Sequence, residues 1–269
     1  MDLLNPPRLD KKNVRKSFNR AATSYNRVAI LQEEVLSRVI NRLEYIRLDP
    51  SVIVDLGCGT GKGILGLKKR YPRSRIVAFD LANQMLEQAK NEFGWRLRKR
   101  LVNGDIEKLP FKEGCFDLVF SSLALQWMND LPAAFREVAR VTRPGGLFMF
   151  TTFGPATLSE LRDSWAGIDN KPHVHQFIDM HDVGDLLIRA GFSDPVIDSE
   201  TIRLEYGDFK SVLHDLKGIG ATNSEIGRGK GLTTPSTMRQ LEKNYQAIGY
   251  SQERFVASYE VLYGHAWVQ

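Results

Sequence analysis

Residues 52–63 read VIVDLGCGTGKG, and this short stretch restricts the fold more than any other part of the chain. An apolar, β-branched run such as Val52–Leu56 is typical of a buried strand, and here Asp55 lies near its end. Three glycines follow at alternate positions: Gly57, Gly59 and Gly61. Because glycine has no side chain, such a loop bends tightly and lets a ligand approach the backbone. We therefore predict a ligand-binding loop directly after a buried strand.

Short apolar runs alternate with helical patterns along the chain. The predicted strands are Val52–Leu56, Arg75–Asp80, Arg100–Asn103, Phe116–Ser121, Leu147–Phe153, Pro195–Tyr206 and Arg254–Tyr263. The predicted helices are Gly61–Tyr71, Asn83–Phe93, Leu131–Val141 and an amphipathic helix from Val28 to Leu43. Pro144 and its neighbouring glycines are predicted to stop the third of these helices. The alternation predicts an α/β fold with a doubly wound, mostly parallel sheet and right-handed crossovers.

The glycine loop lies where doubly wound sheets bind nucleotide-like ligands, beyond the carboxyl end of a strand. Its spacing does not fit a phosphate-binding P-loop, because three residues instead of four separate Gly57 from the Gly-Lys pair. A dinucleotide fingerprint that started at Gly57 would need glycine where Lys62 stands. The same fingerprint fits Gly61, Gly63 and Gly66, but these lie inside the predicted helix, and we interpret the match as chance. An acid at Asp55 instead suits a ligand that bears an ammonium group.

The composition limits the class of protein. The chain has 269 residues, 42% hydrophobic and 26% charged, which is ordinary globular composition and enough length for one large domain or two small ones. Its two cysteines, Cys58 and Cys115, have neither disulfide nor metal-site spacing. The basic N-terminal region lacks the apolar core of a signal peptide, and no apolar stretch approaches the roughly 20 residues of a membrane helix. We therefore expect a cytoplasmic protein that does not enter a membrane.

The stretch DLGCGTG, residues 55–61, resembles the first motif of the class I methyltransferases, which use S-adenosylmethionine as methyl donor. The resemblance continues through RIVAFDLA (75–82), NGDIEKLPF (103–111) and FDLVFSSLALQWMND (116–130). It implies a Rossmann-like α/β fold, with a mostly parallel seven-stranded sheet, helices on both faces and a helical lid inserted near the C-terminus. The lid is expected at residues 207–249.

The resemblance also implies which residues bind the cofactor. Asp80 would bind the ribose hydroxyls, since a carboxylate accepts both hydroxyl hydrogens well. Asp105 would face the adenine amino group, with Ile106 as its apolar neighbour. The reactive end of the cofactor would be faced by Ser121, Ser122, Leu123 and Gln126. The full implied set is Asp55, Gly57, Gly59, Gly61, Asp80, Leu81, Asp105, Ile106, Ser121, Ser122, Leu123 and Gln126.

Segments outside the sheet resemble one family within this class. FNRAATSY (18–25), DLKGIGATN (215–223), GRGKGLTT (227–234) and SYEVLYGHAW (258–267) are similar to the malonyl-acyl carrier protein O-methyltransferases of early biotin synthesis. The resemblance spans nearly the whole chain and implies one domain over 1–269, with an N-terminal helical cap at 1–45. The family often has Tyr-Asp where this chain has Tyr25-Asn26, so any positioning role of that acid is in question here.

The implied reaction methylates the free carboxyl group of a malonyl thioester. A carboxylic acid with a pKa of about 4 is already ionised at neutral pH, so the reaction needs neither a general base nor a metal. A dry pocket favours the transition state, because the carboxylate and sulfonium charges neutralise each other as the methyl group moves. The catalytic candidates are Tyr25, which would orient the reactants, Phe18, which would wall the pocket, and Arg20 and Lys217, which would grip a carboxylate.

The implied partner is an acidic acyl carrier protein. A net charge of +5 and a pI near 9.1 permit such a partner, although solvated lysines on helix faces are the commoner explanation of such a charge. The candidate docking residues are Arg15, Lys16, Lys210, Lys217, Arg228 and Lys230. The sequence shows neither a basic helix nor aromatic residues interleaved with charges, and we therefore expect no nucleic-acid binding.

Other interpretations of the sequence remain open. His173 and His175, with His181 and Asp182 nearby, could suggest a metal, but three imidazoles with no further paired ligands in the sequence are more often loop and helix-cap residues, and we expect no metal. One alternative function is a methyltransferase for another small acid or nitrogen acceptor, or a hydroxylase-type relative. Another is a binding module without catalysis, which the intact set of three acids, Asp55, Asp80 and Asp105, disfavours.

Overall fold

The computed structural model describes residues 8–93, 100–169, 171–218 and 234–269. Its helices are α1 (Lys11–Ala21), α2 (Tyr25–Val28), α3 (Ile30–Arg42), α4 (Lys62–Arg70), α5 (Asn83–Phe93), α6 (Leu131–Val141), α7 (Ser159–Ala166), α8 (Met180–Arg189), α9 (Phe209–Gly218) and α10 (Pro235–Gly249). Its strands are β1 (Val52–Leu56), β2 (Arg75–Asp80), β3 (Leu101–Asn103), β4 (Phe116–Ser122), β5 (Thr142–Phe153), β6 (Phe192–Tyr206), β7 (Tyr250–Ser251) and β8 (Arg254–Val268).

The strands form one mixed sheet in the order β3-β2-β1-β4-β5-β8-β6, and the two-residue β7 pairs with β8. Strands β1 to β5 pair in parallel, whereas β8 is antiparallel to both β5 and β6. The predicted Rossmann-like, mostly parallel seven-stranded sheet is therefore confirmed. The strand order reverses between β1 and β4, and the crevice beyond the carboxyl ends of these strands is where a doubly wound fold binds its ligand.

Helices cover both faces of the sheet. Neighbouring residues of β1 alternate between two buried clusters, with Ile53 in one and Val54 in the other, because successive side chains of a strand point to opposite faces. The cluster around Ile53 includes Val35 of α3, whereas the cluster around Val54 includes Phe135 of α6 and Leu187 of α8. Burial on both faces explains why the central strands are almost continuously apolar.

Several element boundaries differ from the sequence prediction. The predicted helix from Val28 to Leu43 is divided at Ala29 into the short α2 and the longer α3. Strand β5 begins at Thr142, before the predicted Leu147, and includes the Pro-Gly-Gly segment. Gly145 has a φ of +73°, and the pairing of β5 with β4 shifts register there, so the segment forms an irregular strand start after α6 ends at Val141.

Two glycines of helix α4 serve close packing. A Cβ atom at Gly63 would lie 2.6 Å from Asp55 Oδ2, and one at Gly66 would lie 2.2 Å from Ile40 Cδ1 of α3. Both approaches are too short for a side chain. The glycine pattern inside this helix thus allows α4 to pack closely, in agreement with its interpretation as a chance match to a dinucleotide fingerprint.

The predicted lid, residues 207–249, lies between β6 and β8, and residues 219–233 fall outside the described part of the chain. Thr234 caps α10 by accepting a hydrogen bond from Thr237 N, and Pro235 is the first helical residue, as the sequence predicts. Helix α10 packs on α7 through a hydrogen bond from Asn244 Nδ2 to the Ser164 carbonyl oxygen at 3.0 Å. The end of α9 approaches α2, since a Cβ atom at Gly218 would lie 3.2 Å from Val28.

In the described part of the chain, every helix is too short or too polar to cross a membrane.

Candidate active site

The glycine loop after β1 is held open against strand β2. The backbone N–H groups of Gly57 and Cys58 both donate to the Phe79 carbonyl oxygen, at 2.8 and 3.0 Å. Gly57 has a φ of +74°, and a Cβ atom there would lie 2.3 Å from Ala124 Cβ. Gly59 also has a positive φ, +54°, with open space where its Cβ would be. The loop therefore leaves a cradle that side chains would fill.

Asp80, at the end of β2, orients this loop. Its Oδ2 accepts a hydrogen bond from Gly59 N at 2.9 Å, and its Oδ1 accepts one from Ala82 N at 2.7 Å. Burial raises the pKa of Asp80 to about 6, and the two hydrogen bonds oppose that rise. The carboxylate lines the cleft together with Leu81, at the position where the resemblance implies contact with ribose.

Asp55 is a buried acid with an oxygen left over. Its side chain is 2% exposed, and Oδ2 has no hydrogen-bond partner among the described residues. Burial, followed by the charge of Asp80, raises the pKa of Asp55 to about 7. Because a buried polar atom without a partner is costly, this oxygen fits a donor group on a bound ligand. The ammonium group of an amino acid meets that need.

The opposite end of the cleft is covered by helix α1. Lys11 Nζ lies 2.9 Å from Asp105 Oδ1 and 3.1 Å from Glu107 Oε1. Leu9 is anchored nearby, since its N–H donates to Asn129 Oδ1 at 2.6 Å and its carbonyl oxygen accepts from Asn129 Nδ2 at 3.1 Å. The start of the cap therefore contacts the acid that the resemblance assigns to the adenine end, and Ile106 lines the cleft beside it.

The residues at the end of β4 and just after it occupy different positions. Ser121 is fully buried and donates from Oγ to the Leu56 carbonyl oxygen at 2.9 Å, so it connects β4 with β1 instead of lining the cleft. Ser122 lines the cleft. Leu123 has a positive φ of 48° and borders the cleft and the pocket behind it. Gln126 lines the pocket behind, where its Nε2 donates to the Leu123 carbonyl oxygen at 2.8 Å.

The glycine loop, the ends of β2 and β4 and helix α1 surround one cleft with a volume of about 610 Å³, including its open mouth. Its lining includes eight of the twelve predicted cofactor residues, namely Gly57, Gly59, Asp80, Leu81, Asp105, Ile106, Ser122 and Leu123. Asp55 lines a smaller adjoining cavity that shares Gly57, Gly59 and Ser122 with the cleft. Gly61 is the N-cap of α4, with a φ of +88°, and lines neither of these two cavities. The donors and acceptors are thus distributed along an elongated site.

A second, mostly apolar pocket of about 750 Å³ lies behind the cleft. We call it the acceptor pocket. The cleft and the acceptor pocket share four side chains, Phe18, Tyr25, Leu123 and Trp127. The rings of Phe18 and Trp127 meet edge to face at 5.2 Å between centroids and form part of the partition. The two spaces therefore adjoin at this partition.

Tyr25 lies where all the cavities of the site meet. It lines the cleft, the acceptor pocket and the cavity beside Asp55. Burial, followed by the charge of Asp80, raises the pKa of the Tyr25 phenol well above its usual range. Tyr25 is consequently a neutral hydroxyl group that is able to donate a hydrogen bond, and it does not act as a base at neutral pH.

The structure brings together only part of the predicted catalytic set. Phe18 and Tyr25 border the site, whereas Arg20 and Lys217 are exposed and line neither the cleft nor the acceptor pocket. Leu216 is the residue of α9 that reaches the acceptor pocket. Since adjacent helical residues point about 100° apart, Lys217 is turned away from the wall to which Leu216 contributes.

Sequence reasoning missed several residues of the acceptor pocket. Its lining includes Gln32, Phe153, Thr157, His173, His175, Phe177, Leu216 and Tyr259. Of these, the two histidines were visible as an HVH motif, although the motif gave no indication of this location.

His181 is exposed and pairs with Asp179 at 2.7 Å. The described residues contain no group of three or more His, Cys, Asp or Glu side chains able to hold a metal ion.

Comparison with known proteins defines first the class and then the family. Residues 54–150 match the family model of the methyltransferase domain. The YcgJ protein of Bacillus subtilis has a similar fold, with a TM-score of 0.62 over 88% of this chain and 99% of that chain, at 16% identity. The fold is that of the methyltransferases.

Two relatives are similar over almost the whole length. The malonyl-[acyl-carrier protein] O-methyltransferase of Halorhodospira halophila is 46% identical over 260 residues, which cover 96% of this chain and 88% of the relative. The protein of the same name from Laribacter hongkongensis is 48% identical over 266 residues, covering 96% and 89%. The chain belongs to the malonyl-[acyl-carrier protein] O-methyltransferase family.

Proposed function

We propose that this protein transfers the methyl group of S-adenosylmethionine to the free carboxylate of a malonyl group on an acyl carrier protein, giving a methyl ester that enters biotin synthesis. The observation that carries the proposal is the placement of Tyr25 between the polar cleft and the separate apolar acceptor pocket. Membership of the family, at 46–48% identity to two of its proteins, supports the choice of acceptor.

The cleft fits S-adenosylmethionine at three points. Asp55, with its unpartnered oxygen, would bind the amino group, and Gly57 and Gly59 would leave room for the amino-acid end. Asp80 would bind the ribose hydroxyls, and Asp105 would face the adenine. When bound, S-adenosylmethionine supplies a methyl group on a positively charged sulfur. Each of these contacts uses an atom or space that the folded chain already presents.

The chain's own contribution to the reaction is positioning and the exclusion of water. A malonyl carboxylate is ionised at neutral pH, so no residue has to remove a proton from it. The acceptor pocket exposes mainly apolar surface, including Leu123, Val174 and Phe177, and a low-dielectric environment strengthens the electrostatic contacts within it. Tyr25 would orient the reacting groups from the partition, and Phe18 would keep solvent from the boundary.

We also propose a docking face for the carrier protein. Arg15 and Lys16 are exposed on α1, and Lys210 and Lys217 are exposed on α9. Their helices contribute Phe18 and Leu216 to the acceptor pocket, so the four cations belong to elements that enclose it. The other two predicted docking residues, Arg228 and Lys230, lie outside the described residues. Basic side chains in this position would steer an acidic partner toward the pocket.

The direct test of the activity is product analysis. The purified protein would be incubated with methyl-labelled S-adenosylmethionine and either malonyl or acetyl carrier protein, and the acyl group would be analysed by mass spectrometry. We expect a gain of one methyl group on malonyl alone, which an esterase removes. Binding of S-adenosylmethionine without transfer to malonyl would overturn the choice of acceptor and leave the fold and the cofactor site unaffected.

A further inference from the structure

The acceptor pocket contains an aspartate–histidine pair that the reaction described above does not use. His173 lines the pocket, and its Nε2 lies 2.7 Å from Asp169 Oδ1. The ring of His173 also stacks on the indole of Trp165, with centroids 3.5 Å apart and planes 4° from parallel. Asp169 Oδ1 is itself fixed by a hydrogen bond from Lys171 N at 3.0 Å. The imidazole is therefore held in position and orientation by two neighbours.

The position of this pair distinguishes it from a surface contact. His181 has the same kind of partner, Asp179 at 2.7 Å, but its side chain is 81% exposed and lines neither the cleft nor the acceptor pocket. The His173 side chain is 21% exposed and belongs to the pocket wall. Both pairs join an imidazole to an aspartate, but one lies in the pocket wall and the other is exposed to solvent. His181 is consequently a matched control for any experiment on His173.

A carboxylate in this pocket needs a hydrogen-bond donor. Burying an ion in apolar surroundings is costly unless it is paired, and no Lys or Arg occurs among the described residues that line the pocket. Two of the polar groups in the wall already bind neighbouring backbone, because Thr157 Oγ1 donates to the Glu260 carbonyl oxygen at 3.0 Å and Gln126 Nε2 donates to Leu123. His173 is a further polar group of the wall, and it is held by an acidic partner, Asp169.

We propose that His173 binds the carboxylate of the acceptor through Nδ1–H, with Nε2–H held by Asp169, and so makes the pocket selective for acids. The proposal rests on the proposed function and adds to it the residue that recognises the acceptor's charge. Contact with one carboxylate oxygen leaves the other free to receive the methyl group. Since Asp169 partly compensates the imidazolium charge, the bound carboxylate remains a competent nucleophile.

The contact requires a hydrogen on each ring nitrogen of His173, and Asp169 is the acidic group beside the ring, 2.7 Å from Nε2. Tyr25, Tyr259 and His175 are the other titratable groups that line the pocket, and the two tyrosines are kept neutral because burial raises their pKa.

The test compares two acyl groups of one shape and different charge. Malonyl and 3-methylbutanoyl carrier proteins would be titrated into the protein with S-adenosylhomocysteine bound, so that no methyl transfer occurs, and binding would be followed by calorimetry. In the wild type we expect malonyl to bind about 10- to 100-fold more tightly, the range of a hydrogen bond to a charged group. In His173→Phe, which retains a ring for Trp165 and loses both nitrogens, we expect the preference to vanish.

Two further variants make the result specific to Nδ1. In His173→Asn, the side-chain amide retains a donor near the Nδ1 position, and we expect part of the preference to return. In His181→Asn, we expect the preference of the wild type. Unchanged affinity for S-adenosylhomocysteine shows that each variant is folded, and His173→Asn alone serves the test if His173→Phe does not fold.

The outcomes separate this inference from the proposed function. A wild-type protein that binds both acyl groups equally overturns the inference, as does a full preference for malonyl in His173→Phe. A wild type that prefers malonyl through His173 but does not methylate it supports the inference and overturns the proposed acceptor reaction. Methyl transfer to malonyl that is equally efficient in wild type and His173→Phe leaves the function standing and removes His173 from acceptor recognition.

Discussion

Thr60 Oγ1 donates a hydrogen bond to Asn26 Oδ1 over 2.6 Å, and this bond joins the glycine loop to helix α2. Thr60 is buried, whereas Asn26 is exposed and directly follows Tyr25. The bond therefore connects helix α2, which carries Tyr25 at the partition between the cleft and the acceptor pocket, with the loop that forms the cleft. It also gives a structural meaning to the asparagine that replaces the aspartate often found in the family, because either side chain offers an acceptor oxygen.

Replacing Asn26 tests this connection. Asn26→Leu removes the acceptor and leaves the Thr60 hydroxyl without its partner, so we expect affinity for S-adenosylhomocysteine to fall by about 2- to 10-fold, or about 0.5–1.5 kcal/mol. Asn26→Asp preserves the acceptor and is expected to bind like the wild type. Calorimetric titration of both variants makes the comparison. Equal affinities for Asn26→Leu and Asn26→Asp would show that the bond does not position the loop.

The raised pKa of Asp55, about 7, predicts how the stability of the ligand-free protein depends on pH. The folded protein retains a proton on Asp55 at pH values where the unfolded chain, with an ordinary pKa of about 4, has lost it. The unfolded state then binds fewer protons, so the free energy of unfolding falls as pH rises from about 4 to about 7. Asp80, whose pKa is raised to about 6, contributes in the same direction.

Asp55→Asn removes one source of this loss. We expect the variant and the wild type to have similar melting temperatures near pH 4 and the ligand-free variant to be more stable at pH 8, by on the order of 2–4 kcal/mol. Affinity for S-adenosylhomocysteine should rise with pH in the wild type, since the ionised Asp55 binds its amino group, and should rise less steeply in the variant, where Asp80 still ionises. Melting curves and titrations between pH 5 and 8 decide; parallel pH profiles for the two proteins would contradict the account.

The contact of Lys11 with Asp105 predicts a role for α1 in cofactor exchange. The pair lies at 2.9 Å where the cap covers the cleft, and breaking it should loosen the cover. In Lys11→Met, we expect the dissociation rate of S-adenosylhomocysteine to rise about 3- to 10-fold, the size of a partly exposed charge contact. Lys12→Met, an exposed neighbour, is the control. Stopped-flow displacement measures both rates, and similar rates in the two variants would assign the covering role elsewhere.

The docking face predicts salt-dependent turnover. With Arg15 and Lys210 both replaced by Glu, kcat/KM for the malonyl carrier protein should fall by about 3- to 10-fold at low salt and lose most of its dependence on ionic strength. Arg73→Glu changes an exposed charge just before β2, at the amino end of that strand, whereas the cleft lies beyond the carboxyl ends. This variant should have little effect. A flat response of the wild type to salt would refute the docking face.

The fold could be predicted from the sequence because its signals are local. Strand β1 is an apolar run of five residues buried on both faces, and the glycines that follow form the turn at its end. Asp80 and Asp105 could be placed for the same reason, since each lies at or just after the carboxyl end of a parallel strand, where the crevice must be. Such positions depend on the strand order alone, which the alternation of elements already restricts.

The acceptor pocket could not be predicted because no local pattern defines it. Gln32, His173 and Tyr259 come from three distant parts of the chain and line one space only in the folded protein. The expectation that Arg20 and Lys217 grip a carboxylate rested on their charge, and the structure leaves both side chains exposed to solvent. The role of His173 could not be predicted either, because its ring is positioned by Trp165 and Asp169 in the folded protein.

Tyr25 gives the sharpest prediction for catalysis, because its hydroxyl group is at the partition and its pKa is raised. Tyr25→Phe preserves the ring and removes only the hydroxyl. If that group orients the reactants, kcat should fall by about 10- to 100-fold, the size of a lost positioning hydrogen bond, with affinity for S-adenosylhomocysteine unchanged. Since the phenol stays protonated, Tyr25 should add no ionisation to the wild-type rate profile between pH 6 and 9. Single-turnover kinetics measures the methyl-transfer step directly. Full turnover in Tyr25→Phe with unchanged cofactor affinity would show that the aromatic ring, and not the hydroxyl, is what the site requires.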